Sequence, residues 1–370
     1  MEEKKKIVTI TLTESCNLNC TYCYENNKSN KFISLEIAKQ IVDKEIKDRK
    51  DYEGIEFDLF GGEPFLAFDI IKELSEYIIN ECNRNDFPFI IFLTTNGTLV
   101  HGHIQEWLIE NIDYVKCGIS LDGTKHMHDI NRSNSFDDID IDFFRKYYPE
   151  QDVKMTISKE SLKTLAEGVI FLHELGFEVS CNLAYQIDWS DKSNKDILYS
   201  ELMKLIDFYL NNPQITPCSM LGMGVTNVGS YDEEAVRFCG AGLETKAYDV
   251  MGNSYPCQFF MPLSVGEEKA KLSQSIVFPE RTIPDSVLDE KCRGCVIKSS
   301  CPNCYGANFA ATGNIFSRDD NMCKLTKIIM KARSYFYGLK WQKGQLDENN
   351  EDVVGILRAI AKIQDELIID

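Results

Sequence analysis

The residues best suited to chemistry in this chain are three cysteines close to its start. Cys16, Cys20 and Cys23 follow the spacing Cys-X3-Cys-X2-Cys. Thiolates are soft ligands that select iron–sulfur clusters and zinc, so this loop can hold three irons of a 4Fe–4S cluster. A zinc loop would usually pair Cys-X2-Cys units and close at four ligands. Because the loop has no fourth cysteine, the pattern predicts a cluster with one iron open to another ligand.

The loop resembles that of radical S-adenosylmethionine (SAM) enzymes, because an aromatic residue, Tyr22, stands between its last two cysteines. The resemblance implies that the open iron chelates the amino and carboxylate groups of the methionine part of SAM. It also implies that an electron from the cluster cleaves the sulfonium to a 5′-deoxyadenosyl radical, so that the cofactor carries the difficult chemistry. Tyr22 would then pack near the adenine, as the equivalent aromatic residue does in the family.

A second motif, Gly-Gly-Glu-Pro at positions 61–64, directly follows the second predicted strand. Glycines let the backbone approach a ligand closely, and a carboxylate can accept hydrogen bonds from an ammonium group. The tetrapeptide by itself would be an ordinary turn, but its place after the strand distinguishes it. It is similar to the family motif that holds the methionine amino group, which implies cofactor contacts for Gly61, Gly62 and Glu63.

Polar residues also end the next two predicted strands. Asn96 follows the third strand, and Ser120 begins a Ser-Leu-Asp-Gly sequence after the fourth. In family members with a similar sequence, the serine and a following arginine contact the cofactor's carboxylate and ribose, which implies these roles for Ser120 and Arg132. The planar guanidinium suits a carboxylate because it can bind both oxygens. Asn96 is also predicted to contact the cofactor, although turn chemistry explains Asn96 and Asp122 equally well.

A second cysteine array lies in the C-terminal part of the chain. It begins with Cys239, which is followed after twelve residues by Gly252 and after four more residues by Cys257. A cluster of four cysteines and one last cysteine come after Cys257. The array resembles the SPASM domain, which carries two auxiliary 4Fe–4S clusters, although the four clustered cysteines alone would also suit a zinc ribbon. The resemblance assigns an outer cluster to Cys292, Cys295, Cys301 and Cys323. It assigns an inner cluster to Cys239, Cys257 and Cys304.

The inner cluster has no obvious fourth ligand. Cys218, which lies upstream, is predicted to close the site, and the alternative is an open iron that binds a substrate thiolate. The three other cysteines, Cys82, Cys117 and Cys181, fall on a predicted helix and two predicted strands. We expect them to be buried structural thiols, since free cysteine behaves as a small apolar residue.

Short β-branched segments alternate with helical patterns, which predicts parallel βαβ units. Strands are predicted at 7–12, 55–60, 89–94, 115–120, 153–157 and 179–184, and helices at 34–47, 69–82, 162–175 and 195–210. This α/β pattern matches the partial (β/α)6 TIM-like barrel of radical SAM enzymes. In such barrels the chemistry lies at the C-terminal ends of the strands, where the first cysteine loop is placed.

The expected domain organisation has four parts. A radical SAM barrel covers 1–212, a connection 213–236, a SPASM domain 237–324 and a helical C-terminal tail 325–370. Within the SPASM domain, a β-hairpin is predicted at 248–256 around Gly252 and Asn253.

Composition restricts the partners. The chain has 370 residues and a formal net charge of −18, which argues against a nucleic-acid partner, since phosphate binding requires a basic surface. No run of about 18 apolar residues predicts a membrane span. With 14 cysteines and no visible secretion leader, the sequence favours metal-ligating thiols in a reducing cytoplasm.

The resemblance as a whole implies an enzyme with SAM and three 4Fe–4S clusters. The first hypothesis is a maturase that abstracts hydrogen from a ribosomally made precursor peptide and installs a crosslink, most simply a cysteine thioether. An electron donor such as flavodoxin or ferredoxin is expected. The alternatives are an anaerobic sulfatase-maturing enzyme that forms formylglycine, a peptide epimerase or carbon–carbon crosslinking enzyme, and a non-catalytic iron–sulfur protein. The cofactor motifs at Glu63, Ser120 and Arg132 argue against the last, because an electron carrier needs no SAM site.

Overall fold

The structure is a computed structural model that describes residues 5–49, 52–222, 224–228, 234–346 and 352–369. Its strands are β1 Lys5–Thr13, β2 Gly54–Gly61, β3 Phe89–Thr95, β4 Val115–Ile119, β5 Val153–Ile157, β6 Val179–Leu183, β7 Ala235–Val236, β8 Thr245–Tyr248, β9 Ser254–Tyr255 and β10 Thr282–Ile283. Its helices are α1 Leu35–Lys47, α2 Phe68–Arg84, α3 His103–Glu110, α4 Lys125–Asn131, α5 Ile141–Tyr147, α6 Leu165–Glu174, α7 Ser193–Asn211, α8 Ser219–Gly222, α9 Pro262–Val265, α10 Glu267–Ser273, α11 Glu290–Arg293, α12 Tyr305–Thr312, α13 Asp320–Gln342 and α14 Val353–Glu366.

The chain divides into two compact units. The first comprises 1–121, 128–154 and 240–278, and the second comprises 122–127, 155–239 and 279–370. The alternation of strands and helices predicted for the barrel is confirmed, with all six predicted strands present within one or two residues of their expected ends. The predicted helix at 162–175 begins as a 3₁₀ turn, Leu162–Thr164, and continues as α6. The domain boundaries expected from the sequence stay predictions.

The first unit is built on a mixed sheet with the order β4-β3-β2-β1-β8-β9. β1 to β4 are parallel, β8 is parallel to β1, and β9 is antiparallel to β8. Val8, Ile10 and Leu12 on one face of β1 are fully buried. Thr9 on the other face donates a hydrogen bond to Asp58 of β2, 3.2 Å away. The two-residue period of a strand thus separates an apolar face from a polar one.

The predicted hairpin at 248–256 is present as β8 and β9. Its turn is closed by Asp249, whose Oδ1 accepts hydrogen bonds from the amides of Met251 and Asn253, each at 2.9 Å. Gly252 has a φ of +82°, a conformation that glycine adopts without steric cost. The sequence did not indicate that the hairpin extends the barrel sheet through pairing of β8 with β1.

The regular pairing of β1 to β4 ends at Ile119. β5 and β6 form a separate two-stranded sheet, and an isolated bridge joins Ser120 to Lys154.

The second unit contains most of the C-terminal helices. A core of buried residues gathers α13 and α14 with part of the predicted connection, including Val225, Met330, Ile356 and Ile363. This confirms a helical C-terminal region. The predicted connection contains α8 and β7, and its residues 223 and 229–233 lie outside the described part of the chain. Within the described ranges, we find no helix with the length and apolarity that a membrane crossing requires.

A buried ion pair connects β1 to α1 in the first unit. Lys6 and Glu45 form a salt bridge with side chains that are 3% and 0% exposed, and the hydroxyl of Tyr248 also donates to Glu45. Burial opposes ionisation of Glu45, but the hydrogen bonds from Lys6 and Tyr248 outweigh it and lower the pKa of this carboxyl. The pair therefore ties the first strand, the first helix and β8 together.

We expect Glu45→Ala to destabilise the protein by about 3–5 kcal/mol, because it leaves the Lys6 ammonium buried without its partner. The free energy of unfolding in urea measures this effect. Asp43→Asn is the matched control, since Asp43 accepts a hydrogen bond from the hydroxyl of Tyr77, 2.6 Å away, at an exposed contact. Equal losses for the two variants would contradict a special role for the buried pair.

Candidate functional site

The first cysteine loop begins where β1 ends. Cys16, Cys20 and Cys23 are all partly buried, and the amide of Leu18 lies 3.4 Å from the Cys16 sulfur. Burial raises the pKa of the Cys16 thiol to about 11. Burial also disfavours the charged form of Lys28, yet the nearby thiols outweigh it and raise the pKa of this ammonium. The charge of Lys28 lowers the pKa of the Cys16 thiol but does not outweigh burial.

The Gly-Gly-Glu-Pro segment packs directly on this loop. The amide of Gly62 donates to the carbonyl of Thr13 at 3.0 Å, and the amide of Glu63 donates to that of Ser15 at 2.9 Å. A Cβ atom on Gly61 would lie 2.5 Å from the Thr13 carbonyl oxygen, and one on Gly62 would lie 2.4 Å from that of Ser15. Any side chain would collide with the backbone, so the glycines are required for Glu63 to lie beside the cysteines.

Glu63 is held rigidly and is only 1% exposed. Its carboxyl oxygens accept hydrogen bonds from the Thr95 hydroxyl at 2.8 Å and from the amides of Asn96 at 2.9 Å and Phe65 at 3.2 Å. Burial raises the pKa of this carboxyl to about 7, although these hydrogen bonds and the charge of Arg132 counteract it. A buried carboxyl fixed by three donors is suited to accept a further hydrogen bond from an amino group.

Asn96 makes a turn contact, and its predicted contact with the cofactor stays a prediction. Its side-chain oxygen accepts a hydrogen bond from the amide of Thr98 at 3.0 Å, which is a turn contact. Its Nδ2 also donates to Asn17 in the cysteine loop at 2.9 Å. Asn96 therefore connects the end of β3 to the loop.

Arg132 and Tyr22 lie together on the other side of the loop. The guanidinium carbon is 5.4 Å from the centre of the Tyr22 ring, within the range of a cation–π contact. The amide of Thr21 donates to the Asn131 carbonyl at 2.9 Å, so the end of α4 holds the loop in place. Ser120 joins the same unit through its amide, which donates to the Thr95 carbonyl at 3.0 Å.

Asp122 belongs to the second unit. Its carboxylate accepts a hydrogen bond from the amide of Thr156 at 3.0 Å. The next residue, Gly123, has a φ of +87°, and a Cβ there would lie 2.7 Å from the Cα of Gly168. The contacts at this turn fit the structural interpretation of Asp122.

Two features near the loop were not predicted from the sequence, namely an aromatic stack and the buried carboxyl of Asp58. Tyr24 stacks on Phe259 with ring centres 4.1 Å apart and planes at 16°. Burial raises the pKa of Asp58 to about 7, with Glu56 adding to the effect. The signal for Asp58 was present, because it alternates with the apolar residues of β2. The stack had no local signal, since its partners are far apart in the chain.

The second unit gathers the four cysteines assigned to the outer cluster around one cavity, which Cys292, Cys295, Cys301 and Cys323 all line. Burial raises the pKa of the Cys292 thiol to about 11, and neighbouring Cys301 and Cys323 add to this effect. In the described part of the chain, no three His, Cys, Asp or Glu side chains are grouped closely enough to hold a single metal ion.

The cysteines assigned to the inner cluster are distributed differently. Cys239 and Cys304 are neighbours in the second unit, where Cys239 contributes to the raised pKa of the Cys304 thiol after burial itself. Cys257 belongs to the first unit and follows β9. Cys218 is 1% exposed, and its amide donates to the Tyr209 hydroxyl at 2.9 Å. A shared cluster for these residues stays a prediction.

The three cysteines predicted to be structural are buried, as expected. Cys82 lies on α2, Cys117 on β4 and Cys181 on β6, and none is more than 1% exposed. Burial raises the thiol pKa at each position, which keeps these groups protonated.

Comparison with known proteins identifies the family. Residues 10–193 match the model of the Radical SAM superfamily. "Uncharacterized protein MJ0907" of Methanocaldococcus jannaschii is 35% identical over 132 residues, which cover 36% of this chain and 43% of that protein. A cysteine-type anaerobic sulfatase-maturating enzyme of Clostridium novyi is 29% identical over 180 residues, which cover 45% of this chain and 47% of the enzyme. These matches thus span less than half the length of both curated relatives.

A solved structure shares the fold over most of the chain. Native anSMEcpe with bound AdoMet and Cp18Cys peptide superimposes with a TM-score of 0.68 at 17% identity, covering 92% of this chain and 99% of that one. Such low identity shows the fold alone. The family match includes the cysteine loop and the Gly-Gly-Glu-Pro segment. This chain thus carries a domain of the Radical SAM superfamily over residues 10–193.

Proposed function

We propose that this enzyme is a peptide maturase that abstracts hydrogen from a ribosomally made precursor and installs a crosslink, most simply a cysteine thioether. The observation that carries the proposal is the second set of cysteines. Four of them line one cavity in the second unit, in addition to the three of the first loop. An enzyme that only cleaves SAM needs one cluster, whereas removal of a further electron from a substrate calls for another acceptor.

In this proposal the chain holds SAM and three 4Fe–4S clusters. Cys16, Cys20 and Cys23 hold the SAM-binding cluster, and the C-terminal cysteines hold two auxiliary clusters. When bound, these groups supply one-electron chemistry for removing a hydrogen atom from an unactivated carbon. For a thioether, the S–H and C–H bonds break and an S–C bond forms. Overall, the peptide would lose one hydrogen atom, one proton and one electron, and the bound SAM and iron–sulfur clusters would supply the acceptors for them.

The residues around the first loop bind and orient SAM. Glu63, already fixed by Thr95 and the amide of Asn96, accepts hydrogen bonds from the amino group of the methionine part. Arg132 lies against Tyr22 and offers a planar donor for the carboxylate. Gly61 and Gly62 allow their backbone to pack on the cysteine loop, which places Glu63 beside the cofactor, and Ser120 contacts SAM from the end of β4.

A peptide substrate is supported by the solved structure of similar fold, which contains a bound peptide. We further propose an electron donor such as flavodoxin or ferredoxin, a cytoplasmic location and no nucleic-acid or membrane partner. The second candidate function is formylglycine formation, which the sulfatase-maturating relative favours. That reaction oxidises a single residue and forms no crosslink, so the two candidates differ in their products.

Anaerobic co-expression with a short cysteine-containing peptide encoded beside this protein tests the proposal. We expect the intact peptide to lose two hydrogens per modified site, about 2 Da, because a crosslink forms by hydrogen removal. Thiol alkylation distinguishes a thioether, which no longer reacts, from a carbon–carbon link, which leaves the cysteine reactive. The peptide with each cysteine replaced by serine is the control and should keep its mass.

A peptide mass that is unchanged in H2O, together with incorporation of deuterium when the reaction runs in D2O, would instead indicate epimerisation. A cysteine converted to an aldehyde in a sulfatase-derived peptide would support formylglycine formation. Either result would overturn the thioether proposal.

A further inference from the structure

A buried arginine contacts the C-terminal cysteines directly. Arg318 is 7% exposed, and its Nη1 donates a hydrogen bond to the Cys301 sulfur at 3.1 Å. Among the residues that the structure describes, no carboxylate forms an ion pair with this guanidinium. Its other close charged or ionisable neighbours include Tyr185 and Cys323. A cysteine sulfur is therefore the group that this buried cation contacts most directly.

The position of Arg318 is well defined by its neighbours. Its carbonyl oxygen accepts a hydrogen bond from Lys291, and the next residue, Asp319, begins α13 by accepting from the amide of Met322 at 2.9 Å. The preceding Ser317 donates to Asp289 at 2.9 Å. These contacts hold the backbone on both sides of the arginine, so its guanidinium faces the sulfur without further rearrangement.

Burial of an uncompensated guanidinium is costly, and the cost falls only if the nearby sulfur carries negative charge. A neutral thiol accepts hydrogen bonds weakly, whereas a metal-bound thiolate accepts them strongly. The Nη1 of Arg318 lies 3.1 Å from the Cys301 sulfur, so a thiolate at this position would compensate the buried guanidinium. The donor set around this cavity therefore fits a bound anionic cluster.

We propose that Arg318 sets the reduction potential of the iron–sulfur cluster held by Cys292, Cys295, Cys301 and Cys323, by donating to the Cys301 thiolate. This inference rests on the auxiliary cluster of the proposed function but on no particular substrate. Hydrogen bonds to cluster sulfurs and net charge are two of the properties that determine such potentials. Reduction adds one electron and one negative charge to the cluster, so a fixed donor and cation stabilise the reduced form. Arg318 thereby raises the potential and makes this cluster a better electron acceptor.

The experiment uses the full chain with Cys16→Ala, Cys20→Ala and Cys23→Ala, so that the spectra report on the C-terminal clusters alone. Anaerobic titration with dithionite, followed by electron paramagnetic resonance, measures their midpoint potentials. In this background, Arg318→Gln should lower the midpoint potential of the outer cluster. At a given applied potential, the ratio of reduced to oxidised cluster should fall at least tenfold, which corresponds to about 59 mV for one electron. Arg318→Lys keeps the charge but loses the planar fork, and it should show a smaller shift in the same direction.

Lys327→Gln is the matched control. Lys327 lines the same cavity and acts on Cys295 through its charge, so this variant removes one positive charge while retaining the hydrogen bond at Cys301. Its shift should be smaller than that of Arg318→Gln. Equal shifts for these two variants, or an unchanged potential in Arg318→Gln, would overturn the inference while leaving the auxiliary clusters intact.

Iron and sulfide analysis of the same samples tests the presence of the auxiliary clusters separately from the role of Arg318. Iron and acid-labile sulfide in the background protein support the auxiliary clusters. Zinc in their place would overturn both the cluster assignment and the role of Arg318. If Arg318→Gln fails to retain iron, the midpoint potential of Arg318→Lys is the test. A potential of Arg318→Lys equal to that of the background protein would contradict the inference.

Discussion

Replacement of Cys16, Cys20 and Cys23 by alanine is expected to reduce 5′-deoxyadenosine formation to the background level. The three thiols lie on one loop beside Lys28, and Thr13 and Ser15 at the start of this loop contact the backbone of Gly61 and Gly62. Without these thiolates, the cluster that binds SAM has no ligands, and SAM has no source of the electron needed to cleave it.

The measurement is 5′-deoxyadenosine released from SAM under dithionite, quantified against total iron. The triple variant should retain the iron bound by Cys292, Cys295, Cys301 and Cys323, which lie in the second unit. Cys82→Ala is the matched control, because this cysteine is fully buried on α2 and should affect stability without changing SAM cleavage. Undiminished 5′-deoxyadenosine formation in the triple variant would exclude this loop as the cofactor site.

The second large effect is expected at Glu63. We predict that Glu63→Gln weakens SAM binding to the cluster-loaded protein roughly 10- to 150-fold, since a hydrogen bond to a charged group contributes about 1.5–3 kcal/mol. Glutamine keeps the shape of the side chain, and its oxygen can still accept from Thr95 or Asn96. The loss would therefore report on the missing negative charge rather than on altered packing.

The pH dependence of SAM affinity gives an independent check. Burial raises the pKa of Glu63 to about 7, so the carboxyl is protonated below that pH and accepts poorly from an amino group. Wild-type affinity should increase as the pH rises through about 7, and Glu63→Gln should lose that component. Glu56→Gln is the control, because it makes the same change on β2, the strand that precedes Glu63. This variant should leave SAM affinity unchanged. The same pH profile in wild type and Glu63→Gln would contradict the assignment.

The local elements of the fold were predictable because their signals are short-range. The β-branched runs of β1 to β6 and the capping serine of α1, whose Oγ accepts from the Ile37 amide at 3.2 Å, depend on nearby residues. The same holds for the cysteine loop and the Gly-Gly-Glu-Pro segment, since spacing along the chain determines which atoms can reach one cluster. Thus the sequence alone indicated the strand–helix alternation, the family and the residues around Glu63.

Contacts between distant segments were decided by the tertiary structure. Pairing of β8 with β1, the stack of Tyr24 on Phe259 and the bond from Tyr248 to Glu45 each join residues about two hundred or more positions apart. No periodicity or motif encodes such a pairing, because it depends on how whole elements pack rather than on the order of neighbouring residues.

Arg318 shows that packing also decides contacts between residues that are close in the sequence. The spacing of the C-terminal cysteines pointed to a cluster, but a single arginine between them had no pattern of its own. Only the packing of the segment before α13 against the cysteine cavity aims its guanidinium at Cys301. The sequence by itself determined which side chains can ligate iron and bind SAM, because those abilities reside in residue type and spacing. The tertiary structure decided which buried charges surround them, because burial and orientation exist only once distant segments have packed.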